Sequence, residues 1–314
     1  MAEISDTVEF VFIAEAGILE QQALLLCESI RRFAGVHARA AVTIVSPRSA
    51  RRPSPAMIRK FEELQAKYVP VEVESCCPEY GTSYRVHSLA LVESMPGPPV
   101  IVQLDSDTLF LAEPDLAMAE FDVAARPVDT KGMCTAGPGD PFDDYWRALC
   151  ALVGITYDEV PLVETLIGAQ AVRASYNGGF IVARRSAGLF QRTEDIFRRL
   201  VAAGMKPWPC GPVISTGTGL LSGAATAYWG TSQAAFSLAA VAAKRAVRIL
   251  PETHNFPLHL LSDITRPVPA HLVHIHYHGL FSAGSADDNP LLEGKLSLPE
   301  EALAWLKARL PLAG

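Results

Sequence analysis

The sequence predicts an α/β protein whose mainly parallel sheet is flanked by helices. Two observations support this fold class. Strand and helix patterns alternate over the first third of the chain, and the apolar run from Val100 to Leu104 lacks the polar alternation of a half-exposed strand. Alternating strands and helices with right-handed crossovers form parallel sheets that helices cover. Ligands of such sheets bind at the carboxyl ends of the strands, where we expect a functional site.

The first part of the chain contains three predicted strands and three predicted helices. Apolar residues at helical spacing indicate the helices, and the first helix has basic residues in its last turn, where they complement the helix dipole. Thr82 or Ser83 is expected to cap the third helix. The strands are predicted at 8–14, 40–46 and 100–104, and the helices at 18–33, 55–68 and 82–94.

The second part is less regular. The Gly- and Pro-rich stretch 204–223 is expected to be an irregular loop. Ser297 and Glu300 have the spacing of a capping box at the start of the last helix. Because we find no repeat or linker, we expect one domain over 1–280 and a C-terminal extension over 281–314. Strands are predicted at 121–127, 178–185 and 271–279, and helices at 141–154, from about 186 to 203, at 232–246 and at 297–310.

Composition and charge limit the possible functions. The chain has 314 residues, 49% of them hydrophobic, and a formal net charge of -7 with no long basic run, so we expect no nucleic-acid partner. No apolar stretch approaches the ~18 residues of a membrane span, and the acidic N-terminus does not resemble a secretory signal. Six cysteines without a CxxC pair are typical of reduced thiols. We therefore expect a cytoplasmic protein.

The C-terminal helix could either pack against the domain or touch a membrane. Its leucines could dip into a bilayer, but its charges are balanced rather than basic. Packing against the domain is the favoured interpretation. The three leucines are Leu303, Leu306 and Leu310.

An acidic motif, Asp105-Ser106-Asp107, follows the buried strand directly. In an extended segment, residues two apart point to the same side, so both carboxylates can address one cation. Hard oxygen ligands suit Mg²⁺ or Mn²⁺, and either ion would also hold phosphate oxygens. The alternative is a polar turn after a strand.

The segment HLVHIHYHG contains four histidines. On a strand, His274, His276 and His278 share one face. A zinc site is one interpretation, but no cysteine or HExxH spacing accompanies these residues. In a second interpretation, a single histidine completes the coordination of the cation at the acidic motif. For His271 and His274 we favour plain hydrogen bonding to the backbone.

The segment SYNGGFIVARR places Asn177 before two glycines at the start of a predicted strand. Glycines let a backbone or ligand approach closely, and the Asn177 amide offers both donors and an acceptor for sugar hydroxyls. A plain turn before a strand is the alternative.

Taken together, these motifs resemble the GT-A glycosyltransferases, most closely the family 8 type that includes glycogenin and lipopolysaccharide galactosyltransferases. The matching segments are LDSDTLFLAEPD, YNGGFIVARR, SQAAFSLA, NFPLHL and HYHG. The resemblance implies the GT-A architecture of nucleotide-diphospho-sugar transferases. It further implies a hexosyltransferase that moves a sugar, by family habit from a UDP-sugar, to a hydroxyl acceptor with retention of anomeric configuration.

The resemblance also assigns residues. It implies that Asp105, Asp107 and His276 bind Mn²⁺, or Mg²⁺ in its place. Asn177 would face the donor sugar or the acceptor, and Gln233 opens a helix that resembles the family's, so these two are the candidate catalytic residues. The candidates for contact with the nucleotide are Ala14 and Glu15 at the base, Ser106 within the acidic motif, and Arg85, His87 and His278 at the diphosphate.

Departures from the family leave two other functions open. Ser232 stands where the family has an aspartate, which would suit a catalytically degenerate nucleotide-sugar-binding module. The family's Lys-Pro-Trp after the histidine motif is absent, and Lys206-Pro207-Trp208 lies upstream of the histidines instead. A haloacid-dehalogenase-like phosphatase also has a strand ending in DxD, but Leu109 occupies the position where that class has Thr or Val.

Overall fold

The computed structural model describes residues 7–118, 120–282, 296 and 298–312. Fourteen strands and seven α-helices lie within these ranges. The strands are β1 (Val8–Ile13), β2 (Ala41–Ser46), β3 (Lys67–Pro70), β4 (Val100–Leu104), β5 (Thr108–Phe110), β6 (Val123–Pro127), β7 (Leu162–Glu164), β8 (Ala171–Arg173), β9 (Tyr176–Arg184), β10 (Ile214–Thr216), β11 (Gly219–Leu221), β12 (Val247–Ile249), β13 (Phe256–Pro257) and β14 (His274–His276). The helices are α1 (Ile18–Phe33), α2 (Pro55–Glu63), α3 (Thr82–Ser94), α4 (Asp143–Val153), α5 (Leu189–Ala202), α6 (Thr231–Ala242) and α7 (Glu300–Lys307).

Seven strands form the central sheet in the order β12-β6-β9-β4-β1-β2-β3. Six of them run in one direction, and β9 runs against its neighbours β4 and β6. The predicted mainly parallel sheet is confirmed. As a consequence, the carboxyl ends of β2, β1, β4 and β6 and the amino end of β9 lie along one edge, in that spatial order with β9 between β4 and β6.

A smaller sheet, β13-β14-β5, lies beyond this edge. Strand β5 begins directly after the acidic motif and pairs antiparallel with β14, so that Thr108 lies opposite His276. The pairing therefore brings the C-terminal histidine segment beside the acidic motif, although more than 160 residues separate them in sequence.

The ends of two predicted helices and the predicted cap of a third were wrong. Helix α2 ends at Glu63 because Gln65 adopts φ 55°, and the chain then forms β3, which pairs with β2. Helix α6 ends at Ala242, and Lys244, at φ 53°, leads into β12. Neither Thr82 nor Ser83 caps α3, since the Ser83 hydroxyl donates to the Cys77 carbonyl oxygen at 2.9 Å.

Two other segments are more ordered than predicted. Strand β9 begins at Tyr176, two residues before the predicted start, so Asn177 lies within the strand and the alternative of a plain turn is wrong. The predicted loop 204–223 contains the hairpin of β10 and β11. A short turn of Gly217 and Thr218 joins these strands, which follows from the Gly content of the segment.

Helix α7 packs against the first helix of the domain. Trp305 contacts the ring of Phe33 edge-on at 5.3 Å, and Ala302 and Leu306 are fully buried. The helix begins at Glu300, and the predicted cap Ser297 lies outside the described residues. Within the described ranges, no helix combines the length and apolar character that crossing a bilayer requires. None of the six cysteines forms a disulfide.

Candidate active site

A cleft of about 1030 Å³ runs along the carboxyl edge of the sheet. The residues that line the cleft occur in the same order as the strands whose ends they adjoin. Glu15 and Arg48 lie after β1 and β2, the acidic motif lies after β4, and Asn177 and Asp129 lie at the ends of β9 and β6. The position agrees with the rule that ligands bind where such strands end.

Asp107, His276 and His278 form a cluster in this cleft. Their potential ligand atoms all lie within 4.8 Å of one another, and His276 Nε2 is 3.3 Å from Asp107 Oδ1. The Tyr277 amide donates to the Asp107 carbonyl oxygen at 3.0 Å, which fixes the two segments together. His278 adopts φ 48°, an uncommon backbone conformation for a non-glycine residue. The cluster could bind a divalent metal ion.

The electrostatics of the cluster suit a metal site. Burial alone would raise the pKa of Asp107, but the neighbouring His276 and His278 hold that pKa below its ordinary value. Burial, reinforced by the charge of His276, lowers the pKa of His278 to about 4. Near neutral pH, Asp107 is therefore ionised and His278 neutral, which are the forms that coordinate metals.

Asp105 does not join this cluster. Its carboxylate accepts a hydrogen bond from Arg85, which reaches it from α3. Gly178 makes room for this guanidinium, because a Cβ atom there would lie 2.5 Å from Arg85 Nη2. Gly179 similarly leaves room for Asn255 and His276. Both glycines are thus explained by the close approach of side chains rather than by a turn.

The nucleotide-side candidates divide into two groups. Glu15 is buried and paired with Arg48, whose guanidinium lies 4.3 Å from the centre of the Tyr84 ring. The Ser106 hydroxyl donates to the Ile13 carbonyl oxygen, and this bond anchors the acidic motif to β1. These residues border the cleft.

His87 and Ala14 do not border the cleft. His87 Nδ1 bonds Glu194 at 2.7 Å, and its Nε2 accepts from the Cys76 amide at 3.3 Å, so both ring nitrogens are occupied by protein groups. Ala14 is fully buried, and its amide donates to the Val45 carbonyl oxygen. The expectation that His87 contacts the diphosphate is therefore corrected, because its ring binds Glu194 and the Cys76 amide and does not border the cleft.

The sugar-side candidates, Asn177 and Gln233, both line the cleft. The Asn177 amide is already bonded, since Nδ2 donates to Asp129 Oδ2 at 2.6 Å and Oδ1 accepts from the Gly179 amide at 2.8 Å. Within the described residues the Gln233 side chain makes no hydrogen bond, and the adjacent Ser232 hydroxyl lies 3.2 Å from the Tyr80 hydroxyl.

Asp129 and His259 are cleft residues that the sequence analysis did not single out. Asp129 follows β6, and the rule that sites lie at the carboxyl ends of strands could have found it. His259 stacks on His278 with ring centres 3.5 Å apart. Its only sequence signal was its place in the NFPLHL segment, and its contact with His278 depends on the tertiary fold.

Comparisons with solved structures address the fold. An active-site mutant of LgtC aligns with a TM-score of 0.52 at 14% identity, covering 96% of this chain and 100% of that chain. Mouse xyloside xylosyltransferase 1 in its apo form gives 0.47 at 13% identity, with 86% and 97% covered. The galactosyltransferase LgtC in complex with donor and acceptor sugar analogs gives 0.46 at 14% identity, with 96% and 100% covered. The first of these similarities confirms the GT-A fold.

Comparisons of sequence address the family. No curated protein sequence matches this chain. The family model described as the Rhodobacterales glycosyltransferase domain matches residues 10–208, which extend from within β1 past α5 and include the acidic motif. Because this match spans more than half of the chain, the protein belongs to the Rhodobacterales glycosyltransferase family and is a transferase enzyme.

Proposed function

We propose that this enzyme moves a sugar from a nucleoside-diphosphate sugar to a hydroxyl group of an acceptor in a metal-dependent reaction. The cluster of Asp107, His276 and His278, at the middle of a cleft that can hold a nucleotide sugar, is the observation that carries the proposal. The Arg85 guanidinium in the same cleft can bind phosphate oxygens. A UDP-sugar donor and retention of configuration are proposed from the resemblance to family 8.

The donor atoms of the cluster suit Mn²⁺ better than Mg²⁺. Mg²⁺ favours oxygen ligands, whereas two of these three residues offer imidazole nitrogens. The buried His276 Nδ1 also has no hydrogen-bond partner among the described residues. We therefore assign Mn²⁺ to Asp107, His276 and His278, with Asp105 becoming available if Arg85 releases it. Bound there, the ion would supply positive charge to the leaving diphosphate.

The protein's own residues bind and orient the substrates. Arg85 is assigned to the diphosphate, because its guanidinium can exchange the Asp105 carboxylate for a phosphate. Gln233 is assigned to a sugar hydroxyl, because its amide lines the cleft and makes no hydrogen bond within the described residues. Asn177 is assigned to orientation of Asp129 and of the β9 backbone beside the sugar. Glu15 and Arg48 border the nucleoside end.

Slow hydrolysis of the donor tests the proposal without knowledge of the acceptor. Nucleotide release would be measured from UDP-, GDP- and dTDP-sugars with Mn²⁺, with Mg²⁺ and with a chelator. We expect release from at least one UDP-sugar with Mn²⁺, and at least about a 100-fold loss in Asp107→Asn. The matched control is Asp144→Asn, since Asp144 is exposed on α4 and does not line the cleft.

Three outcomes would contradict the proposal in different ways. Mn²⁺-dependent nucleotide binding without any release would favour the catalytically degenerate module, which Ser232 suggests. Hydrolysis of p-nitrophenyl phosphate in place of sugar nucleotides would favour the phosphatase. If no nucleotide sugar binds or reacts with either metal, the transferase assignment of this cleft is wrong.

A further inference from the structure

The side chain of Asn255, the first residue of the NFPLHL segment, is buried without a partner. Asn255 is 1% exposed, and neither its Oδ1 nor its Nδ2 makes a hydrogen bond within the described residues. Buried amides normally have partners, because an unpaired polar group away from water is costly. The backbone adopts φ 51°, a left-handed conformation that asparagine tolerates better than most residues. The amide is therefore available to a neighbour that presents a complementary group.

The backbone on both sides of Asn255 is fastened to the histidine segment. On one side, the Thr253 carbonyl oxygen accepts from the His274 amide at 3.0 Å. On the other side, β13 pairs with β14, so that Pro257 lies opposite His276. Hydrogen bonds between these segments, and not a free loop, thus set the position of Asn255 relative to His276.

The two nitrogens of the His276 ring have different surroundings. Nε2 lies 3.3 Å from Asp107 Oδ1 and is the nitrogen that faces the metal cluster. Nδ1 is buried and has no hydrogen-bond partner in the part of the chain that the structure describes. A Cβ atom at Gly179 would lie 2.9 Å from this Nδ1 and would overlap Asn255 Oδ1. The unpartnered atoms of His276 and Asn255 therefore border the same small space, which exists because Gly179 has no side chain.

We propose that Asn255 is a positioning residue whose Oδ1 accepts the Nδ1 proton of His276 when Nε2 binds a divalent cation, an inference that rests on the metal assignment in the proposed function. A neutral imidazole that binds a metal through one nitrogen carries its proton on the other. An acceptor for that proton fixes the tautomer and the orientation of the ring. Asn255 would thus hold Nε2 unprotonated and directed toward the cluster, as coordination requires.

Asp129 is the competing acceptor for this proton. Its Oδ1 is also buried without a partner within the described ranges, and the charge of His276 lowers its pKa, although burial raises that pKa by more. Its Oδ2 already accepts from Asn177 at 2.6 Å, which ties this carboxylate to β9. Asn255 is favoured because its whole amide lacks a partner and because it shares the space beside Gly179 with the His276 ring.

The test measures Mn²⁺ affinity by calorimetry, with and without UDP, in variants that remove or keep the acceptor. Asn255→Gly removes the amide, and glycine adopts the positive φ without strain. We expect it to bind Mn²⁺ about tenfold or more weakly, the usual effect of losing the partner of a metal-bound histidine. Asn255→Asp keeps an acceptor oxygen and should retain most of the affinity. Lys244→Gly is the matched control, since Lys244 is exposed, also has a positive φ, at 53°, and does not line the cleft.

A spectroscopic readout separates positioning from a structural role. In protein with isotope-labelled histidine and the diamagnetic ion Zn²⁺, NMR should show an Nδ1 proton of His276 that is protected from exchange with water. The proton should persist in Asn255→Asp and exchange faster in Asn255→Gly. A merely structural role of Asn255 would instead lower the unfolding temperature of Asn255→Gly and leave this proton unaffected in the folded protein.

Three results would overturn the inference. The first is native Mn²⁺ affinity in Asn255→Gly, and the second is the absence of a protected Nδ1 proton in the native protein with Zn²⁺. The third is loss of both signals in Asp129→Ala but not in Asn255→Gly, since Asp129 would then be the acceptor. A native protein that binds no Mn²⁺ would overturn the inference together with the metal assignment. If Mn²⁺ binds with the expected differences but no sugar nucleotide reacts, the transferase proposal fails and the role of Asn255 stands.

Discussion

At the residue scale, one glycine shows how closely the cluster of Asp107, His276 and His278 is enclosed. Gly217, in the turn between β10 and β11, lies so close to Asp107 that a Cβ atom there would be 2.3 Å from its Oδ2. Gln22 Nε2 donates to the Gly217 carbonyl oxygen at 2.7 Å and holds this turn in place. The turn therefore depends on the absence of a side chain at this position.

Gly217→Ala should weaken Mn²⁺ binding on the order of tenfold, since either the turn or the Asp107 carboxylate must move to relieve the overlap. Calorimetric titration with Mn²⁺ in the presence of UDP would measure this change. Gly81→Ala is the matched control, because Gly81 also lines the cleft but a Cβ atom there meets nothing within 4 Å. Equal affinities of the two variants would contradict the enclosed arrangement.

The three histidines of the HIHYH segment should separate into two roles. His276→Ala and His278→Ala should each reduce Mn²⁺ affinity by about tenfold or more, because both belong to the cluster with Asp107. His274→Ala should instead lower the thermal stability, since its ring packs between Phe110 and Phe180 with centroid distances of 4.6 and 4.8 Å. The same titration, combined with thermal unfolding, would check this division. A variant of His274 that loses metal affinity but not stability would contradict it.

Part of the site could be read from the sequence because its residues follow local rules. Asp105 and Asp107 end a recognisable buried strand, so their place at the sheet edge was predictable. The partner of Asp105 was not, since Arg85 reaches it through a gap that Gly178 leaves in a different strand. The orientation of His87 was equally hidden, because Glu194 on α5 binds it. Such pairings are set by packing between elements and have no signal in sequence spacing.

At the element scale, segments with a clear pattern of their own were predicted well, whereas strands that depend on their pairing partners were not. The bounds of α1 and α3 match their predictions, since each is a long amphipathic or apolar segment. Strands β12 and β13 have three and two residues, and their pairing partners, not their own sequences, define them. Helix α6 also ends earlier than its sequence pattern predicts, because Lys244 adopts a positive φ.

Helix α7 illustrates an element whose role is structural. Trp305 is 5% exposed and belongs to the same apolar cluster as residues of α1, β5 and β14. Trp305→Ala should lower the free energy of unfolding by about 3–5 kcal/mol, through lost burial and the cavity left behind. Trp305→Phe should cost clearly less, because a ring remains against Phe33. Urea unfolding would measure both, and an unchanged midpoint in the alanine variant would contradict a stabilising role of α7.

At the scale of the whole molecule, the sheet topology arranges the chemistry in sequence along one edge. The strand order β2, β1, β4, β9, β6 places three groups one after another: the Arg48–Glu15 pair, the acidic motif with Arg85, and the Asn177–Asp129 pair. A nucleotide sugar bound along this edge would present its base, diphosphate and sugar to these groups in turn. The sequence predicted which strands end at this edge. It did not predict that the antiparallel strand β9 lies beside β4, which only the structure shows.

The stability of the protein should depend on pH through one buried histidine, His254. His254 is 2% exposed, its Nε2 accepts from the Asp115 amide at 3.3 Å, and its ring meets Phe180 edge-on. Burial lowers its pKa from 6.5 to about 4, an effect that nearby Arg126 and Arg248 reinforce and Asp115 opposes. Between these two pH values the unfolded chain binds a proton that the native protein does not. The free energy of unfolding must therefore fall as the pH decreases through this window, by up to roughly 3 kcal/mol from this group.

His254→Gln isolates this contribution, because a glutamine oxygen can still accept from the Asp115 amide but does not titrate. Urea unfolding at about pH 7 and about pH 5 should show a smaller loss of stability in the variant than in the native protein. The comparison is needed because Asp129 acts with the opposite sign. Burial raises the pKa of Asp129 to about 6, so its contribution increases stability as the pH falls. The difference between the stability losses of the two proteins removes the contribution of Asp129, which both share, and leaves that of His254. Identical losses in both proteins would show that His254 titrates normally in the native state.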